Sequence, residues 1–375
     1  MINHKFKIAF IGGGINSAVG AAHFSAINID NLFELVSGCF SRDNKVNYNT
    51  AVKYKVPFDR TYPSIETLID CEKNMLDAVV VLTPQDQHFN QVLKLIKHNI
   101  PVICEKALAA SIKDVLEIKS ALESNLGFLA VIYNYLGYPM IRELKYIIQN
   151  NHLGTIKHIQ VEMPLESFIR VTKDDTPVIP QNWRLKDTNV PTISLDLAVH
   201  LHMLIKYLIS LEPLKVIAIS ESLGNFNVID NINCLIKYSN NIICNMWYSK
   251  IAIGNRNGMK IRVYGDRASA EWVQEFPEIL SLADVHGRRW KMDRGNEDIE
   301  ICSQERYTRF KVGHPAGYVE AFANYYHDIA LALNEYKNNH QIKFNECFGI
   351  DEAYEGIKLL TAIQKSSESM SWENV

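Results

Sequence analysis

The sequence predicts an α/β protein in two parts. Residues 1–130 read as a parallel, doubly wound sheet domain, and residues 131–375 as a second α/β domain on a large, mainly antiparallel, open sheet. Three observations carry this reading. Through the first 130 residues, short apolar runs rich in β-branched side chains alternate with amphipathic segments, the pattern of βαβ units. Beyond about residue 155 strands cluster with short turns between them. With 375 residues, 47% of them hydrophobic, the chain has material for two packed cores.

The elements follow in order. KIAFI, FELVSGCF, DAVVVLT, IPVICEK and FLAVIYN are nearly continuous in apolar character, as strands covered on both faces require. HFNQVLKLIKHN and SIKDVLEIKSALESN place apolar residues at helical spacing between them, and Ser111 or a neighbour suits the cap of the second. The boundary is expected near 128–140, around NYLGYP. TIKHIQVEMP, LKVIAISES, INCLIKYS, NIICNMWYS, MKIRVYGD and ASAEWV then supply strands, with YSNNI and YGDRAS as turns. LDLAVHLHMLIKYLISL and AGYVEAFANYYHDIALALNEY interrupt them as helices. A closing helix over about 349–366 is available to pack back on the first domain. An open sheet face of this kind is commonly covered by a second copy, so a homodimer or homotetramer is expected.

Charge and cysteine usage narrow the function. With 39 basic and 42 acidic residues the net charge is −3, and no basic run offers a phosphate-tracking surface, so no nucleic-acid partner is expected. Neither a membrane-spanning apolar stretch nor a signal-peptide pattern is present, and no membrane partner is expected. Seven scattered cysteines without a CxxC pair fit reduced thiols in a cytoplasm and argue against a zinc site.

GGGINS follows a strand and opens a helix, the setting of a dinucleotide fingerprint. Gly12 would make the turn, Gly14 would admit the pyrophosphate, and Ile15 and Asn16 would lie at the helix N-terminus that meets its charge. Ser17 stands where a third glycine is usual. At the end of the second strand the expected acid is replaced by Ser41 and Arg42, which suit a 2′-phosphate, although Asp43 lies close by. NADP is therefore favoured over NAD. The alternative for Arg42 is a solvated surface charge. Thr83, Pro84 and His88 in VLTPQDQH border the same cleft, with a plain strand–helix connection as the alternative. Glu105 and Lys106 in ICEKAL sit at a strand's carboxyl end, where open α/β sheets bind ligands. Lys106 there would hydrogen-bond a reacting oxygen and exchange its proton. Asp196 and His200 in SLDLAVHLHML are i, i+4 on one helix face and suit acid/base work, whereas His202 lies about 200° around the helix, which disfavours an HxH metal pair. No metal is expected.

Taken in order, GGGINS, TPQDQH, CEKA, NHLGTIKHIQVE and DLAVH resemble the Gfo/Idh/MocA oxidoreductase family over essentially the whole chain. NWR, NGMKIRVYGDRASAEW and GHPAGYVEAFANYYHD resemble a sugar-oxidoreductase branch of it. The resemblance implies a Rossmann domain plus a C-terminal domain whose open sheet serves oligomerisation. It implies hydride transfer between NAD(P) and a secondary alcohol of a sugar, cyclitol or related compound. It carries the family's EKP lysine onto Lys106 and its DxxxH pair onto Asp196 and His200, the catalytic set. Tyr135, Trp183, Arg184 and His314 are the expected substrate contacts. The chain departs from the family's pattern at Ala107, at Ala198 and within VPTISLD, where a proline, a glycine and a glycine pair are usual. The same residues would serve glycosidic cleavage through transient oxidation, or a dinucleotide-binding sensor without catalysis.

Overall fold

The computed structural model describes residue 2 and residues 4–339 and 346–375. The chain forms two units, Met1–Gly137 with Tyr318–Tyr354, and Tyr138–Gly317 with Glu355–Val375.

The first unit holds a five-stranded parallel sheet in the order β2–β1–β3–β4–β5. Its strands are β1 (Phe6–Gly12), β2 (Phe33–Cys39), β3 (Ala78–Leu82), β4 (Val102–Glu105) and β5 (Leu129–Ile132). The helices are α1 (Gly20–Ile29), α2 (Asn44–Tyr54), α3 (Ile65–Glu72), α4 (His88–Lys97) and α5 (Ile112–Asn125). The continuous apolar runs are explained by burial: all five residues of β3 and all four of β4 are buried. Ser111 caps α5, its hydroxyl accepting the Asp114 N–H at 3.1 Å, and Asp43 caps α2 through the Val46 N–H at 2.9 Å. From later in the chain, α8 (Tyr318–Asn339) packs against α1 in this unit.

One expectation needs correcting. The helix does not open at GGGINS but at Gly20. Gly12 and Gly13 have φ of 79° and 70°, which a right-handed helix cannot absorb. Ser17 ends the turn, its hydroxyl accepting the N–H groups of Val19 and Gly20, each at 3.3 Å.

The second unit is built on a nine-stranded sheet in the order β13–β12–β11–β10–β6–β9–β8–β7–β14. Its strands are β6 (Ile156–Pro164), β7 (Pro213–Glu221), β8 (Asn231–Tyr238), β9 (Ile243–Ser249), β10 (Lys260–Gly265), β11 (Ala268–Val273), β12 (Leu280–Asp284), β13 (Arg289–Met292) and β14 (Glu373–Asn374). β12 and β13 extend the sheet beyond the strands anticipated from the sequence. All pairings are antiparallel except β6 with β9. α6 (Pro139–Gln149) and α7 (Val199–Ile209) cover one face, where Ile159, Met246, Tyr248, Val263 and Trp272 are buried. Residues 355–369 of α9 (Ile350–Ser369) also pack in this unit, with the Ser366 hydroxyl accepting the Ala218 N–H at 3.0 Å. The other face of the sheet is open. The helix expected around Asp196 also differs: Ser194–Ala198 form a π turn that leads into α7.

All seven cysteines are free. Among the described residues no helix is long and apolar enough to cross a membrane.

Candidate active site

In the first unit the glycine run lies where three backbones meet. A Cβ on Gly12 would fall 2.8 Å from the Leu82 carbonyl carbon, and one on Gly14 would fall 3.1 Å from the Phe40 carbonyl oxygen. A Cβ on Gly20 would lie 2.1 Å from the Gly13 oxygen, so Gly20 supplies the close helix approach that sequence reasoning sought at Ser17. The Ile15 N–H donates to the Thr50 hydroxyl at 3.0 Å, which ties the turn to α2. Left-handed glycines ahead of a helix N-terminus form a cradle that a side chain would fill, and this fits a dinucleotide pyrophosphate.

At the end of β2, the Ser41 hydroxyl accepts the Asp43 N–H at 3.1 Å. Arg42 is exposed, and its guanidinium makes no ion pair among the described residues. The Asp43 carboxylate is occupied as the cap of α2. After β3, Thr83 donates its hydroxyl proton to Gln91 at 2.7 Å, and Pro84 leads into the turn before α4. His88 is buried, with Nε2 2.8 Å from the Thr83 carbonyl oxygen and Nδ1 2.8 Å from that of Ala107. Burial pushes its pKa down, against the pull of those two carbonyls.

β4 ends on Glu105 and Lys106. One Glu105 carboxylate oxygen lies 2.9 Å from His23 Nε2, and the other accepts the Lys106 N–H at 3.1 Å. His23 Nδ1 in turn lies 2.8 Å from the Tyr326 hydroxyl. Lys106 itself is partly exposed. Tyr135 is buried in the short turn after β5.

In the second unit the chemistry collects at the carboxyl ends of β6 and β9, the parallel pair. The Phe168 N–H donates to the Lys250 carbonyl at 2.8 Å, and the Leu165 N–H to that of Ser249 at 2.7 Å. Lys250 is fully buried, with Nζ 2.9 Å from an Asp196 carboxylate oxygen and 4.6 Å from the Phe168 ring centre. Arg184 forms an ion pair with the same Asp196 oxygen and lies over the Trp183 ring, 4.5 Å from its centre. The π turn carrying Asp196 is pinned to β9 by a 2.9 Å hydrogen bond between the Ser194 and Tyr248 hydroxyls. His200 is buried in the first turn of α7. Trp183, Arg184 and Asp196 are thus brought together. His314 is exposed ahead of α8, and no described contact ties it to that cluster. His202 faces Glu355 instead, with Nε2 3.5 Å from the carboxylate.

Two family models match the chain. The model described as an oxidoreductase family with an NAD-binding Rossmann fold (Gfo/Idh/MocA) covers residues 6–133, and that family's C-terminal α/β domain covers residues 145–375. The chain belongs to this family. It is an NAD-binding oxidoreductase. An uncharacterized oxidoreductase of Bacillus subtilis, YfiI, is 25% identical over 99% of this chain and 97% of its own. Glucose-6-phosphate 3-dehydrogenase of the same organism is 25% identical over 74% of this chain and 77% of its own. The crystal structure of an inositol dehydrogenase homolog from Azotobacter vinelandii, complexed with NADH and myo-inositol, superposes with a TM-score of 0.89. It is 24% identical over 100% of this chain and 98% of its own.

Four polar or close-packing residues of this Gfo/Idh/MocA protein escaped the sequence reading: Gly20, His23, Lys250 and Tyr326. Gly20 lies six residues beyond Gly14, past the spacing the fingerprint specifies. The other three carry no local signal, because what marks them is burial against a partner distant in sequence.

Proposed function

We propose that this oxidoreductase interconverts a secondary alcohol and a ketone on a sugar, cyclitol or related polyol, using NADP or NAD. The observation that carries the reading is the buried acid/base set on the π turn and α7: Asp196 held between Lys250 and Arg184, with His200 four residues on. Two cations on one carboxylate hold Asp196 in place, and it orients the site. His200 is the group suited to take the hydroxyl proton near neutral pH. Lys106, partly exposed at a strand's carboxyl end, donates a hydrogen bond to the reacting oxygen. When bound, the nicotinamide supplies the hydride chemistry. Gly12, Gly14 and the turn after them hold its pyrophosphate, and Ser41 with Arg42 recognises a 2′-phosphate. Seven free cysteines accord with a reducing, cytoplasmic setting.

The test uses purified protein with myo-inositol, glucose and glucose 6-phosphate, each with NAD and NADP, read as dinucleotide reduction. Lys106→Met and His200→Asn should each lower turnover by about 10²–10⁴-fold while dinucleotide affinity stays within a few-fold. The double variant should lose less than the product of the single losses. Normal turnover in a folded Lys106→Met protein would defeat the reading. With a methyl glucoside as substrate, product formation without net reduction of added dinucleotide would favour glycosidic cleavage instead.

A further inference from the structure

We infer that His23 and Tyr326 are positioning residues for Lys106, acting through the carboxylate of Glu105. The inference rests on the reading of Lys106 as the group that holds the reacting oxygen.

The three side chains come from distant parts of one unit. His23 lies on α1, Glu105 closes β4 and Tyr326 lies on α8, yet all three are buried. The chain of contacts has one arrangement that satisfies a neutral imidazole. The Tyr326 hydroxyl donates to His23 Nδ1, and His23 Nε2–H donates to one Glu105 oxygen, since a carboxylate only accepts. The second Glu105 oxygen is then left to accept the Lys106 N–H. The imidazole is also clamped sideways, its ring 4.7 Å from that of Phe322 in an edge-on contact. The two links of His23 are buried hydrogen bonds, where orientation is strongly enforced, and the link to Lys106 is part-buried.

Lys106 is held from its other side as well. The carbonyl oxygen of Ala107 meets His88 Nδ1 at 2.8 Å. Two buried imidazoles therefore flank the lysine, His23 through the carboxylate that accepts the Lys106 N–H and His88 on the carbonyl of the following residue. Its partly exposed side chain leaves from a backbone that has little freedom to turn. Such precision matters to a group that must meet a reacting oxygen, because misplacement by about 1 Å costs on the order of 10²-fold in rate. A trio serving only to glue α1 to α8 would not need the Glu105 carboxylate to reach the Lys106 N–H.

The test reads Lys106 without a substrate. Reductive methylation with ¹³C-formaldehyde labels the lysines, and the Lys106 dimethylamine resonance is assigned by its absence in Lys106→Arg. The resonance is then recorded in Tyr326→Phe, His23→Gln and Glu105→Gln, with far-UV circular dichroism as the check on folding. The expected result is a displaced Lys106 resonance in each variant, with those of Lys237 and Lys260 on the sheet of the second unit unmoved. Tyr326→Phe removes a single oxygen, so it decides the matter even where a charge-altering variant does not fold. An unmoved Lys106 resonance in folded Tyr326→Phe would overturn the inference. On a polyol substrate the variants should lower kcat roughly tenfold to a hundredfold with dinucleotide affinity retained. A displaced resonance in a protein that oxidises no polyol would overturn the proposed reaction and leave the positioning role standing. An unmoved one in an active enzyme would do the reverse.

Discussion

Arg42 and Asp43 show how two neighbouring residues divide the work that sequence reading must apportion. The acid is taken by the backbone of α2, and the guanidinium stands exposed at the strand end. NADP should therefore bind at least as tightly as NAD, and Arg42→Ala should weaken NADP by roughly 10- to 100-fold, the worth of a charge-assisted hydrogen bond, while NAD changes little. Titrating both dinucleotides against tryptophan fluorescence decides it, and a clear NAD preference in the wild type would place Arg42 outside the site. Asp196 supports a second comparison. Its two cations differ in burial, Lys250 being fully buried and Arg184 about a quarter exposed. Removing the buried partner leaves a carboxylate desolvated and half-compensated, so Lys250→Met should cost about 3 kcal/mol in urea unfolding. Arg184→Ala should cost under about 1 kcal/mol, because water replaces what it provided. Equal losses would show that exposure does not govern the pair.

Among the elements, α7 carries a built-in dependence on pH. Among the described residues neither ring nitrogen of His202 makes a hydrogen bond, and one oxygen of the Glu355 carboxylate beside it is taken by Lys206 at 2.6 Å. Burial first, and the Lys206 charge second, push its pKa down to about 3. An unfolded histidine titrates near 6.5, so between roughly pH 6.5 and 3 the unfolded chain binds the extra proton and stability falls with pH, by at most about 1.4 kcal/mol per unit. Unfolding wild type and His202→Gln side by side from pH 8 to 4 should show the wild-type advantage shrinking through that window. Parallel profiles would mean His202 is protonated in the fold. The elements also show what the residues made legible. The strands of the parallel sheet were readable because burial on both faces demands unbroken apolar runs, and Ser111 because a cap is a local event. The π turn at Ser194–Ala198 was not, since its register is fixed by Tyr248 more than fifty residues away. β12 and β13 were missed for a related reason: in LSLAD and RWKM the alternation is short and charged, and the pairing of β12 with β11 and of β13 with β12 is what makes them strands.

For the whole molecule the question is what covers the open face of the nine-stranded sheet. The likeness to Gfo/Idh/MocA proteins was legible along the chain because its motifs are short and ordered, but assembly is a property of a surface that no motif spells. An antiparallel sheet facing water usually alternates apolar inward with polar outward. Here the outward set on β7, β8 and β9 includes Ile217, Ile219, Leu235, Ile243 and Trp247, with Ile219 half exposed and Leu235 and Ile243 each 40% exposed. All of these but Ile243 line a depression of about 560 Å³, together with the charged Glu162 and Arg262. An apolar centre with a polar rim is the anatomy of a protein interface, and a sheet face that meets its own copy buries it symmetrically. Self-association through this face is therefore expected, as a dimer or a tetramer. Light scattering at micromolar concentration should give a mass of at least two chains, and Leu235→Lys with Ile219→Glu should shift it to a monomer of 42.8 kDa. Thermal unfolding should then lose its dependence on protein concentration, because only an associating native state gains stability by mass action. A wild-type protein already monomeric at that concentration would show that the apolar centre of the sheet tolerates water and that the fold needs no second copy.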